Sequence, residues 1–225
     1  MAKVYLSPSD QESNVYAYDN TNEAVQCGRI AEACRAALER SGVEVKVGHM
    51  ISMAQKCSES NAFGADLHVP IHTNAFNGKV MGTRLFCYSA GGKGMAACKA
   101  IFARLAPITP GESENIQVNA DYYEVRVPAA PTAYIECEFH DTVEGAKWIV
   151  ENTVLIGETI ARGICDYFGV TFKEPEQPKP VEPEKKDVLY RVQIGAYKIK
   201  ANAEKRQAEA KAAGFTDAFI VTVEQ

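Results

Sequence analysis

Asp66-Leu-His-Val-Pro-Ile-His-Thr-Asn-Ala75 sets a short alternating apolar run in front of a polar turn. Leu67, Val69 and Ile71 alternate with His68, Pro70 and His72, so a strand here packs one face while the other carries both imidazoles. Pro70 has no N–H for a ladder, which predicts an edge, a bulge or the end of regular pairing near His72. The two histidines share a face but stand roughly 13 Å apart, so they do not bind one metal ion together unless the strand breaks. His72, flanked by Thr73 and Asn74 at the strand end, is the candidate metal ligand, and His68 is the candidate core histidine.

Outward from this strand, helical and extended patterns alternate. Lys3 to Ser7 reads as a strand, and Asn22 to Arg40 as a helix with Val25, Ile30, Cys34, Ala37 and Leu38 on its buried stripe and Gly42 beyond its end. Val43 to Val47 is the next strand, and Ser52 caps a helix that runs to Phe63 and stops at Gly64. Gly82 to Tyr88 is a strand, and Gly94 to Leu105 a helix with Met95, Cys98, Ile101, Phe102 and Leu105 inward. Ala133 to Phe139 is a strand of high β propensity, and Asp141-Thr-Val-Glu144 opens closing helices that carry Trp148, Ile149, Leu155, Ile156, Ile160, Ile164 and Tyr167. Such alternation predicts an α/β fold: a twisted, mostly parallel sheet with helices on both faces.

From Lys173 to Asp187 the chain holds four prolines, mixed charge and little to bury, which reads as an extended, semi-rigid linker. The expected organisation is therefore a large domain over 1–170, a linker over 171–187 and a small α+β module over 188–225.

The 225 residues carry a net charge of −5, which argues against a nucleic-acid surface, and no apolar run approaches bilayer length. The N-terminal Met1 to Ser9 has too short an apolar core for a signal peptide, so the chain is expected to be made in the cytoplasm. Seven cysteines without a CxxC pair read as reduced, buried thiols, and a cysteine-held zinc is not expected.

In open α/β sheets ligands gather beyond the carboxyl ends of the strands, where Ser7 to Glu23, His72 to Asn77 and Glu136 to Asp141 all fall. In Tyr134-Ile-Glu-Cys-Glu-Phe-His140, Glu136, Glu138 and His140 share one strand face, opposite Ile135, Cys137 and Phe139. A carboxylate near the end of a buried strand is costly unless partnered, which marks Glu136 as functional, whereas Glu138 reads as part of a solvated face. Glu23 stands in the first helical turn, where the helix dipole favours a carboxylate on its own account.

In this order the motifs resemble the zinc-dependent N-acetylmuramoyl-L-alanine amidases of the third amidase family, over roughly residues 3 to 169. The Ile71-His-Thr-Asn-Ala75 and Ile135-Glu-x-x-Phe139 pieces carry the resemblance. It implies peptidoglycan as substrate and Zn2+ as cofactor, with His72 and Glu23 as metal ligands and Glu136 as the catalytic glutamate. The family's other histidine ligand is missing from Ser7-Pro-Ser-Asp-Gln-Glu-Ser-Asn14: an ungapped match puts Asp10 there and a variant spacing puts Ser13. His140, just past the catalytic strand, is the preferred substitute, and Asp10 the alternative. Gln11, Asn14, Asn74, Asn77 and Arg126 offer hydrogen-bonding or cationic groups for sugar and stem peptide, with Lys93 a further cation for its carboxylates. A metal-free wall-binding protein on the same fold is the competing expectation.

Tyr190-Arg-Val-Gln-Ile-Gly-Ala-Tyr197, followed by Asn202 to Ala213 and Phe215 to Val223, resembles the first half of a SPOR domain, a peptidoglycan-binding module. A segment this short has little core of its own, so docking or dimerisation through its strand edge is expected. Reduced thiols and the lack of a leader fit a phage or prophage endolysin released through a holin pore.

Overall fold

The computed structural model describes residues 1–112, 116–175 and 190–223, in two compact units, Met1–Glu176 and Gln177–Gln225. In the first unit, β1 (Lys3–Pro8), β2 (Glu44–Val47), β3 (Leu67–Asn74), β4 (Arg84–Cys87), β5 (Ile116–Val118) and β6 (Tyr134–Phe139) form one sheet in the order β2-β1-β3-β6-β4-β5. All pairings are parallel except β4 with β6. The mostly parallel α/β sheet read from the alternating segments is what forms.

Strand β3 is central, not an edge. Pro70 sits opposite Ser7 within the β1 pairing, and the irregularity it foreshadows appears as a register shift against β6 between His72 and Asn74. On one face, Val4, Leu6, Leu67, Val69, Ile71, Leu85, Ile135 and Cys137 share a core with α1 (Glu23–Arg40), α3 (Lys93–Leu105), α5 (Val143–Glu151) and α6 (Thr153–Phe168). Residues of opposite parity on β1, β3 and β6, namely Tyr5, Ser7, His68, His72 and Glu136, face the other way, toward α2 (Met53–Phe63) and the single turn α4 (Tyr123–Arg126). His68, His72 and Glu136 therefore lie on the thinner, α2–α4 side of the sheet.

The buried stripe of α1 differs from the one expected. Cys27, Ile30, Ala31, Cys34, Ala37 and Leu38 are buried, while Val25 is exposed, because burial of Glu23 and Gln26 in the first turn rotates the inward face. In α3, Met95 and Phe102 are only half-buried. Helix α2 begins with a Ser52–Gln55 capping box and ends where Gly64 takes φ +67°, a conformation that glycine adopts without a Cβ penalty. The short elements β5 and α4 had no periodic signal.

The linker expected over 171–187 lies largely outside the described residues, but its start belongs to the domain. Phe172 receives the guanidinium groups of Arg40 and Arg162 on its ring, and Glu174 accepts two hydrogen bonds from Arg162. In the second unit, α7 (Lys200–Ala212) forms where a helix was expected, but among the described residues Tyr190 to Tyr197 and Phe215 to Val223 form no strand. Tyr190, Val192 and Ile194 remain exposed, since an isolated strand without partners gains too little burial to order itself.

Candidate active site

Asn22 caps α1 through the Val25 N–H, which fixes the first turn and aims Glu23 at the end of β3. There Glu23 Oε1 lies 2.9 Å from His72 Nδ1, and its other oxygen accepts from the Asn14 amide at 2.6 Å. A carboxylate only accepts, so the His72 Nδ1 carries the proton of this bond. His72 Nε2 is buried and has no hydrogen-bond partner. The imidazole stacks on Tyr134 at 4.7 Å between ring centroids.

Glu136 stands directly across from His72 in the β3–β6 register, and its Oε2 is likewise buried without a partner. Burial pushes the Glu136 carboxyl up to about 8; the nearby Glu23 charge adds to the shift and His72 opposes it. Burial also works against a charged Glu23, but the hydrogen bond and charge of His72, with Asn14 and Ser9, hold it below the usual carboxylate range. For His72 burial disfavours the imidazolium, and the Glu23 hydrogen bond, with the Glu23 charge and that of Glu136 once ionised, outweighs it, so the imidazole is more basic than usual. Three ionisable groups thus meet at one strand end: an acid that holds its proton, an imidazole, and a carboxylate that orients the imidazole.

The other expected residues lie as follows. Gln11 is placed 3.4 Å from His72 Nδ1 and accepts from Asn14, so these two amides fill the side of the Glu23–His72 pair on which the β1 turn lies. Asp10 turns away, with Lys56 Nζ at 2.6 Å and the Met50 N–H at 2.6 Å. His140 lies beyond β6, its Nδ1 3.0 Å from Thr73 Oγ1 and its ring stacked on Tyr16, and burial lowers its basicity. It reaches Glu23 only through Thr73, whose N–H donates to Glu23 Oε1 at 3.4 Å. Asn74 and Asn77 accept from backbone N–H groups of their own loop. Arg126 is exposed on α4, and Lys93 lines a separate cleft with Asp66 and Pro131.

Glu138 does not belong to a solvated face. It is fully buried and accepts from the N–H groups of Gly82 and Phe139, both at 2.7 Å, because the antiparallel approach of the β4 loop closes over it. His68 is fully buried, as expected of a core histidine, but it faces Glu124, a residue that gave no sequence signal because α4 is a single turn without periodicity.

Residues 9–166, more than half of the chain, match the family described as N-acetylmuramoyl-L-alanine amidase. The chain belongs to that family. Residues 174–224 match the SPOR domain. The sporulation-specific N-acetylmuramoyl-L-alanine amidase of Bacillus subtilis (strain 168) is 26% identical over 228 aligned positions, covering 98% of this chain and 85% of that protein. The N-acetylmuramoyl-L-alanine amidase CwlM of Bacillus licheniformis matches to the same extent. Among solved structures, the catalytic domain of CwlV from Bacillus (Paenibacillus) polymyxa var. colistinus superposes with a TM-score of 0.69 at 16% identity, over 76% of this chain and all of that one. AmiC2 of Nostoc punctiforme gives 0.66 at 18% identity, over 75% and 97%. These structures share the fold of the amidase domain.

The family is generally zinc-dependent. Catalytic zinc sites hold three protein ligands and one open position. At the end of β3 this amidase domain offers two, Glu23 and His72, while Asp10 is committed to Lys56 and His140 to Thr73. Amides of Gln11 and Asn14, weaker donors, stand beside the pair. Among the described residues, no three-donor zinc set assembles there.

Proposed function

We propose that the amidase domain hydrolyses the amide joining the lactyl group of N-acetylmuramic acid to L-alanine of the stem peptide, with Glu136 and His72 handling the protons. The observation that supports this most is the pairing of Glu136 with His72 across β6 and β3, each with a buried, unpartnered atom. Glu23 accepts from Nδ1 and so leaves the Nε2 lone pair of neutral His72 available. His72 takes a proton from the attacking water as its oxygen adds to the carbonyl carbon. Protonated Glu136 delivers its proton to the departing alanine nitrogen as the C–N bond breaks, and afterwards recovers a proton from His72. Arg126, exposed on α4, is a cation for stem-peptide carboxylates.

The test is digestion of purified cell wall. The expected result is new alanine amino termini without new sugar reducing ends, falling at least ~100-fold in Glu136→Gln. Wild-type protein that releases no amino termini, or a Glu136→Gln variant as active as wild type, sinks the proposal. The two-donor set at Glu23 and His72 favours a second reading, a wall-binding protein on the amidase fold, which the same assay separates: binding to wall without release.

The SPOR-matching segment supports glycan strands of peptidoglycan as the partner of the second unit. Pairing between two copies would bury Tyr190, Val192 and Ile194 and is the form of dimerisation their exposure supports. All seven cysteines are free and buried, the state of a chain folded in a reducing compartment, which supports synthesis in the cytoplasm and release at lysis, as for a phage or prophage endolysin.

A further inference from the structure

Behind His72, on the same face of the sheet, three side chains from three elements converge. Cys57 comes from α2, His68 from β3 and Glu124 from α4, and one ligand atom of each lies within 4.8 Å of the other two. Among the described residues this is the one place where three donors of these types come so close. All three are at most 2% exposed. His68 Nε2 is 3.2 Å from Glu124 Oε1, Ser7 Oγ donates to the same oxygen, and Tyr5 stacks on the imidazole at 5.4 Å. His68 Nδ1 is buried without a partner.

We propose that Cys57, His68 and Glu124 bind a zinc-class divalent cation, at a site distinct from the Glu23–His72 pair. A thiolate, an imidazole and a carboxylate are the donor types that zinc takes, and three protein ligands leave one position open. Charge supports the assignment. One thiolate and one carboxylate offset the two positive charges of the ion, so the occupied cluster is neutral, as a fully buried site requires. Binding displaces the Cys57 thiol proton to solvent, and both electrons of the new S–metal bond come from sulfur. Lys56, whose charge acts on both Cys57 and Glu124, is already held by Asp10 and the Pro8 carbonyl.

The place of the cluster gives the ion a task. Glu124 also lines a cleft of about 260 Å³ with Met53, Asp121, Tyr122, Tyr123 and Tyr134, and Tyr134 is the ring on which His72 stacks. A cation at Cys57–His68–Glu124 ties α2 and α4 to β3 and fixes that wall.

Cobalt titration of metal-stripped full-length chain tests the site, since only a thiolate ligand gives a sulfur-to-cobalt charge-transfer band. The expected result is a band saturating at one equivalent, present in Glu23→Gln and absent in Cys57→Ser. Zinc at a hundredfold excess over its dissociation constant raises the wild-type melting midpoint by about 5–10 °C and leaves Cys57→Ser unmoved. No band in wild type, or an equal band in Cys57→Ser, overturns the proposal. Wall digestion by Glu136→Gln is scored separately, so failure of the hydrolytic mechanism and failure of the cation site are read from different experiments.

Discussion

His72 Nδ1 lies 2.9 Å from Glu23 Oε1, a contact that joins the first turn of α1 to the end of β3 across 49 positions of sequence. The bond sets which imidazole nitrogen carries the proton and which is free. Glu23→Gln keeps the shape but can present its amide N–H to the ring, so the wrong tautomer becomes available. The expected loss in kcat is about 100-fold or more, with KM little changed, and His72→Asn should lose at least as much. Steady-state kinetics on soluble wall fragments check both, and a Glu23→Gln enzyme with wild-type kcat removes Glu23 from the positioning role.

Glu136 must be protonated to serve as the acid, and its carboxyl is pushed up to about 8. Neutral His72 is needed as the base, and its basicity is raised. Activity should therefore rise as His72 loses its proton, above the ordinary histidine range, and fall as pH climbs through about 8. A bell-shaped kcat/KM profile with an alkaline limb near 8 is expected, its apparent values belonging to the coupled pair. A profile flat from pH 7 to 10 contradicts the acid role.

Glu138 gives a stability test that does not touch the reaction. Burial raises its carboxyl to about 7, against the opposing hydrogen bonds from the Phe139 and Gly82 N–H groups. Because the folded state holds this proton more tightly than the unfolded chain, the stabilisation is full below about 4.5 and is lost as pH rises through about 7. Glu138→Gln, which still accepts from both N–H groups, should remove this slope, worth on the order of 2–3 kcal/mol between pH 4.5 and 8. Urea unfolding at several pH values reads it directly, and parallel pH dependences for variant and wild type count against the assignment.

Helices α1 and α6 meet where Gly157 leaves no room for a side chain. A Cβ there would stand 2.5 Å from the Ile30 carbonyl oxygen and 2.8 Å from the Cys34 nitrogen, both backbone atoms. Gly157→Ala should cost about 1–3 kcal/mol despite alanine's better helix propensity, because the helices must separate. A variant that unfolds at the wild-type urea midpoint shows the contact to be looser.

Much of the fold was legible because it rests on local periodicity. The alternation at 67–72, the capping box at Ser52, the αL stop at Gly64 and the stripe of α1 beyond its first turn are properties of neighbouring residues, which short-range geometry reads out. His72 and Glu136 could be singled out because each polar side chain interrupts an apolar strand near its end, whereas Glu23, behind the polar Asn20-Thr-Asn22 turn, rested on the family resemblance. Glu124 stands on a one-turn helix with no period, and Val25 was misplaced because buried polar residues, not apolar ones, set the phase of the first turn.

The sequence by itself determined the order of the longer strands and helices of the large domain, the family and the residues gathered at the carboxyl ends of the strands. Only the tertiary structure decided their partners. Asp10 went to Lys56, His140 to Thr73, and His68 to Glu124, 56 positions away. The physical reason is that a side chain's preference for an apolar or polar face is local, whereas the pairing of a buried charge depends on whichever complementary group the packed chain brings within hydrogen-bond reach.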